Sequence, residues 1–203
     1  MSEPKVLFGN IAVIKLNRPE KRNALDPETV MMFNEFSEKA KDPKFRAVIV
    51  TGDESAFCGG ADITAAASED GMGWESVEKA LNEGYHVGLN NLIYMDKVVI
   101  AAVEGACAGI GCAYYLSSDI AVMAKSSFFQ IGFSKIALIP DGGSNWLLTK
   151  VVGYQQAFRM AAEAKRVSAE ECQSLGMCSE ICEDGSALDT AMELAKHYAE
   201  LAP

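Results

Sequence analysis

Phe57-Cys58-Gly59-Gly60-Ala61-Asp62-Ile63 and Gly105-Ala106-Cys107-Ala108-Gly109-Ile110-Gly111-Cys112 are two glycine-rich runs, each downstream of a short apolar stretch. The first follows Ala47–Thr51 (AVIVT) and the second directly follows Val98–Val103 (VVIAAV). Short continuous apolar runs closed by turn residues read as buried strands, so each junction is a strand passing through a turn into a helix. Small residues let the backbone approach a ligand there, and a helix N-terminus presents unpaired N–H groups to negative charge. Two such junctions facing each other would make a two-donor oxyanion hole. Either run alone is also an ordinary glycine turn. Neither has the GxGxxG or Walker spacing, so a nucleotide-binding fold of either kind is unsupported.

Outward from these junctions the alternation of strand and helix continues. Val6–Phe8, a Gly9-Asn10 turn and Ile11–Leu16 read as a hairpin. Asp26-Pro27-Glu28 is a helix start, with Asp as N-cap and Pro at the first helical position. Val30, Phe33, Phe36 and Ala40 recur every three to four residues and mark that helix's buried face. Residues 64–73 lack periodicity and read as a mobile loop, followed by a helical stretch from about Trp74 to Tyr94. Another strand is expected at Ile120–Ala124, and beyond Pro140 the chain reads as helical. Ser168 and Glu171 form a capping box there, and Ala187–Leu201 is a last amphipathic helix. No repeat or linker divides the chain, so residues 1–203 read as one α/β domain with largely parallel pairing.

Composition narrows the function classes. A net charge of −10 on 203 residues, with 49% apolar and 23% charged residues, is that of a globular chain and not of a disordered, collagenous or disulfide-scaffold one. The acidity argues against nucleic-acid partners, whose recognition rests on basic phosphate contacts. Val98–Met123, the most apolar stretch, is broken by Glu104 and Asp119 and falls short of the ~20 uninterrupted apolar residues of a membrane span. The first ten residues have no signal-peptide pattern. The cysteines (Cys58, Cys107, Cys112, Cys172, Cys178 and Cys182) form no CxxC pair, so no metal site is expected and the thiols fit a cytoplasmic chain.

A third run, Leu138-Ile139-Pro140-Asp141-Gly142-Gly143-Ser144, sets an Asp between an apolar stretch and a glycine pair. Such a carboxylate could be a partly desolvated acid/base group, although Asp before Gly is also common turn or N-cap chemistry. The segment Asn17-Arg18-Pro19-Glu20-Lys21-Arg22-Asn23-Ala24-Leu25 places Arg18, Lys21 and Arg22 close together in an acidic chain, a cluster suited to phosphates.

In this order, the Asn17–Leu25 segment, FCGGADI, VIAAVEGACAGIG and IPDGGSNWLL resemble the crotonase, or enoyl-CoA hydratase/isomerase, superfamily over essentially the whole chain. Phe133–Asp141 is most similar to its ring-epoxide and enoyl-CoA isomerase branch. The resemblance implies a repeated ββα superhelix, an acyl-CoA thioester substrate, no cofactor apart from the coenzyme A of that substrate, and a homo-oligomer, trimeric or hexameric. The chain stops at Pro203, where members of the family usually continue into helices that close the acyl pocket and build trimers, so that segment is expected to be short or absent.

By the same resemblance, the backbone N–H groups of Ala61 and Ile110 form the oxyanion hole. Coenzyme A contacts fall on Lys21, Arg22, Ala24 and Leu25 and on Gly59, Asp62 and Ile63, with Asp62 fixing the Ala61 N–H. The two glutamate positions of the family's hydratases are Ala113 and Phe133 here, and neither side chain can carry a proton. Asp141 occupies the isomerases' single carboxylate position and is the expected acid/base. Phe133 and Trp146 are candidates to line the acyl pocket. His86 falls at the general-base position of the aryl-CoA dehalogenase branch, in which Asp141 would be the nucleophile. That chemistry is the alternative to isomerisation, and a non-catalytic acyl-CoA-binding subunit is the other.

Overall fold

The computed structural model describes residues 10–63 and 74–201. Five strands, β1 (Ile11–Lys15), β2 (Ala47–Thr51), β4 (Val98–Val103), β6 (Ile120–Ala124) and β9 (Glu180–Cys182), form an all-parallel sheet in the order β1-β2-β4-β6-β9. A second sheet runs β3-β5-β7-β8, from β3 (Ala56–Cys58), β5 (Ala106–Ala108), β7 (Phe128–Gln130) and β8 (Val167–Ser168). Only the β7–β8 pair is antiparallel. Each of β2–β3, β4–β5 and β6–β7 gives one strand to each sheet before the chain turns helical, which is the expected ββα superhelix.

The five-stranded sheet is buried on both faces, as parallel sheets usually are, and this is why its strands read as continuous apolar runs. Alternate side chains divide between two cores. Val48, Val50, Val99 and Ala101 enter the main core beneath helix α1 (Pro27–Lys39), whereas Ala47, Ile49, Ile100 and Ala102 face helix α8 (Ala187–Glu200). Ala187, Ala191 and Ala195, four residues apart, are fully buried, so α8 can lie close against the sheet. Glu104 Oε1 accepts the Ala187 N–H at 2.9 Å and ties the start of α8 to the end of β4. Asp119 Oδ2 accepts the Val99 N–H at 2.8 Å, so both carboxylates serve backbone groups.

The helical expectations hold in their main lines. Asp26 caps α1 by accepting the Thr29 N–H, with Pro27 at the first position, and Ser168–Glu171 form a capping box on α7 (Ala169–Ser174). The stretch from Trp74 is helical to Ile93, but in three parts: α2 (Trp74–Lys79), a π-helical turn (Ala80–Tyr85) and α3 (His86–Ile93). The expected hairpin partner at residues 6–8 and the loop at 64–73 lie outside the described residues; β1 itself pairs in parallel with β2. Beyond Pro140 come α5 (Ser144–Val152), α6 (Tyr154–Glu163), α7 and α8, with β8 and β9 between them where sequence reading expects only helix. Strands of two or three residues carry too few side chains to show a period. Most of the second sheet is invisible in the sequence for that reason. No helix among the described residues is long and apolar enough to cross a membrane.

Candidate active site

The two glycine-rich junctions meet at adjacent strand ends. A Cβ on Gly60 would stand 3.2 Å from the Ala108 carbonyl oxygen and 3.4 Å from Gly109 Cα, and one on Gly109 would stand 3.4 Å from Gly60 Cα. Both glycines have positive φ, 102° and 56°, which side-chain-bearing residues adopt only with strain. Ala61 and Ile110 are the residues that follow this close approach. Ala61 forms a parallel bridge with Leu25, made by Leu25 N–H to Gly60 O (2.8 Å) and Asp62 N–H to Leu25 O (2.9 Å). In that pattern the N–H of Ala61 points away from Leu25. Ile110 precedes helix α4 (Gly111–Leu116), where first-turn N–H groups have no intrahelical acceptor. Neither N–H has a backbone acceptor among the described residues.

Asp141 stands over this corner. Its neighbour Gly142 (φ 59°) lies so close to α4 that an added Cβ would meet Ala113 Cβ at 2.9 Å, Leu89 Cδ1 at 3.1 Å and Ile110 Cγ1 at 3.2 Å. The Asp141 carbonyl accepts the Ser144 N–H at 3.0 Å, while the N-cap of α5 is Gly143, so the Asp141 side chain caps nothing. That side chain is half-buried, and its Oδ1 is buried without a hydrogen-bond partner. Burial raises its pKa from 3.8 to about 6. A carboxyl with one buried oxygen left unpaired, opposed only by a bond from its own N–H, is what a turn or cap would not need and an acid/base group would. Ala113 and Phe133, the residues expected at the two hydratase positions, are both buried and neither is a carboxylate.

Around the loop before α1, the expected contacts divide. Lys21 and Arg22 are exposed, and neither is in an ion pair among the described residues. Arg18 turns inward: it bridges Asp26 (3.1 Å) and Asp62 (3.0 Å) and donates to the Ala24 carbonyl (2.6 Å), which removes it from the expected phosphate cluster. Leu25 and Asp62 are buried, and the Leu25 N–H and carbonyl are both bonded within the protein, so these two residues hold the Ala61 loop from behind. Gly59, Ala24 and Ile63 remain at least partly open to solvent. Asn23, which sequence reading passes over, proves to be the staple: its Nδ2 donates to the Ala56 carbonyl at 2.7 Å and its Oδ1 accepts the Arg18 N–H at 2.7 Å. Positive φ at Arg22 and Asn23 (51° and 55°) is the price of that fold-back.

The remaining candidates separate. Phe133 is buried in the main core, whereas Trp146 is 55% exposed on the first turn of α5 with Lys150 Nζ 3.4 Å from its ring centroid. The two acyl-pocket candidates thus sit in different surroundings, Phe133 within the core and Trp146 at the surface under its own helix's lysine. His86 is half-buried, with Nδ1 3.3 Å from Asn82 Oδ1 one turn earlier. The residue before it, Tyr85, has its hydroxyl 3.4 Å from the Leu25 carbonyl, on the loop that holds Ala61. The π-helical turn rotates the helix between the two, a shift that apolar spacing in the sequence does not reveal.

A protein-family model described as enoyl-CoA hydratase/isomerase matches residues 8–203. The 1,2-epoxyphenylacetyl-CoA isomerase of Escherichia coli K12 is 34% identical over 197 residues, covering 93% of this chain and 72% of that protein. A "probable enoyl-CoA hydratase" of Rhodobacter capsulatus is 36% identical over 174 residues, 86% of this chain and 66% of its own length. Among solved structures, an enoyl-CoA hydratase from Polaromonas sp. JS666 superposes with a TM-score of 0.91 at 31% identity, covering 97% of this chain and 77% of that one.

Proposed function

Since the chain belongs to the enoyl-CoA hydratase/isomerase family, we propose that it is an acyl-CoA isomerase whose single proton carrier is Asp141. The observation that carries this reading is the lone half-buried carboxyl, with an unpartnered Oδ1 and a pKa raised to about 6, beside two unbonded backbone N–H groups. The thioester oxygen accepts hydrogen bonds from Ala61 and Ile110. The Asp141 carboxylate removes a proton from the carbon α to the thioester carbonyl, and the negative charge moves onto that oxygen as an enolate. The same carboxyl then returns the proton at another carbon, which shifts the double bond with no net loss of atoms. A ring-epoxide thioester fits the same arrangement: loss of its α-proton gives the enolate, whose electron pair then breaks an epoxide C–O bond and leaves the charge on the epoxide oxygen, and the named E. coli relative supports that substrate class. Hydration would need a second group to activate water, and Ala113 and Phe133 cannot serve.

Lys21 and Arg22 meet the coenzyme A phosphates in this reading, with Ala24, Gly59 and Ile63 along the thioester's path. No cofactor besides the substrate's coenzyme A is required. Exposed Leu138, Ile139, Trp146, Tyr154 and Phe158 around α5–α6 support a homo-oligomer, trimeric or hexameric, and the free thiols suit the cytoplasm.

Replacing Asp141 with Asn tests the proposal. Turnover of a 3-enoyl-CoA or ring-epoxide thioester should fall about 10²–10⁴-fold, the usual worth of a positioned acid/base group, while binding of the thioester persists. A fully active variant would exclude Asp141 as the proton carrier. Uptake of ¹⁸O from water into Asp141 in a single turnover would instead show the nucleophilic, dehalogenase-like course.

A further inference from the structure

Tyr85 closes the π-helical turn, a distortion that tends to occur where a helix serves a site. The turn is tied to α1 by Asn34, whose Nδ2 donates to the Gly84 carbonyl at 3.0 Å. The Tyr85 ring packs against the main core, so the hydroxyl is aimed and not swinging free. Its protein acceptor is the Leu25 carbonyl at 3.4 Å, an oxygen that already takes the Asp62 N–H at 2.9 Å. So long a bond to an acceptor already served is weak, and the hydroxyl proton can turn to a ligand at little cost.

The surroundings of the hydroxyl fix its chemistry. Burial, followed by the charges of Asp141, Cys58, Asp26 and Asp62, pushes the phenol up to about 12. Tyr85 is therefore a neutral O–H donor throughout the physiological range. The hydroxyl lies against the loop that carries Ala61, through the Leu25 carbonyl, and is near enough to Asp141 for that carboxylate's charge to act on it. A donor placed there can serve an oxygen of an acyl group bound at the site, and a hydrocarbon chain has nothing for it to bind.

We propose that Tyr85 is a specificity-determining residue that donates a hydrogen bond from its hydroxyl to an oxygen on the acyl group, and so selects oxygenated acyl thioesters over their hydrocarbon counterparts. This inference rests on the acyl-CoA reading above and adds to it the substrate class.

Calorimetric titration with 3-hydroxyhexanoyl-CoA and hexanoyl-CoA tests it without requiring turnover. Wild-type protein should bind the hydroxy thioester roughly 3- to 10-fold more tightly, the worth of one net hydrogen bond. Tyr85→Phe should bind hexanoyl-CoA as the wild type does and lose that preference. Equal wild-type affinities overturn the proposal before any variant is made. A preference retained in Y85F also overturns it, as does an equal loss of both affinities, which would mark a structural role. Wild-type protein that binds neither thioester would instead refute the acyl-CoA reading, and this inference with it.

Discussion

Asp62 and Asp141 flank the same pair of glycine junctions, one behind the Ala61 loop and the other over the start of α4, yet their surroundings differ. Asp62 has a side chain 6% exposed and lies 3.0 Å from the Arg18 guanidinium, and its N–H anchors Leu25. Asp141 is less buried, but its Oδ1 has no partner and its pKa rises to about 6. Burial alone does not mark a reacting group. What separates the two is whether the fold compensates the charge, and here the more buried carboxylate is the compensated one.

Removing that compensation should produce the largest effect on stability. Arg18→Leu deletes the bridges to Asp26 and Asp62 and the bond to the Ala24 carbonyl, leaving Asp62 buried beside an apolar side chain. Breaking a fully buried pair costs ~3–5 kcal/mol; because Arg18 is 22% exposed, a loss of about 2 kcal/mol is expected here. Urea denaturation would measure it. An unchanged midpoint would mean that the Arg18–Asp62 corner is not holding the loop. Adding Asp62→Asn should recover part of the loss, because a buried charge that has lost its Arg18 bridge goes with it.

The opposite sign is expected at Asp141. Its folded pKa lies above the ordinary 3.8, so the folded state favours the protonated form. The stability this contributes is fully present below about pH 3.8 and is lost as pH rises through about 6. Asp141→Asn carries no charge to desolvate. At pH 8 it should be more stable than wild type by on the order of 1 kcal/mol, the full shift being discounted for partial exposure. Near pH 4 the two should converge. A stability difference that is constant with pH would break the contrast between the two carboxylates.

How far the sequence discloses this arrangement depends on the length of the signal. AVIVT and VVIAAV are long enough, and apolar enough on both faces, to be read as buried parallel strands. Ala56–Cys58 and Ala106–Ala108 are not, although their pairing brings the two glycine-rich junctions together; only the glycine runs mark them. Asp141 is legible as a candidate through its motif, and its missing partner shows only in three dimensions. Arg18 reads as one of three basic residues, and nothing in the spacing says that it turns inward while Lys21 and Arg22 stay outside. Tyr85 has no motif at all, and the π-helical turn that carries it leaves no mark in the apolar spacing.

The smallest expected effect tests that division of the basic residues. Lys21 and Arg22 are exposed, so a phosphate contact from either is worth well under ~1 kcal/mol at ordinary salt, and Lys21→Ala or Arg22→Ala should weaken binding of free coenzyme A only a few-fold. The informative quantity is the salt dependence. Exposed charges about a Debye length (~8 Å at physiological salt) from a phosphate are screened, so wild-type affinity should fall as salt is added and the double variant should show a flatter dependence. Arg18, held by Asp26 and Asp62, has no charge to spare for the ligand, and Arg18→Leu should leave the salt slope as it is while lowering stability. Were Arg18→Leu to flatten the slope as strongly as the double variant, Arg18 would have to leave its carboxylates when coenzyme A binds, and the inner and outer basic residues would be one site rather than two.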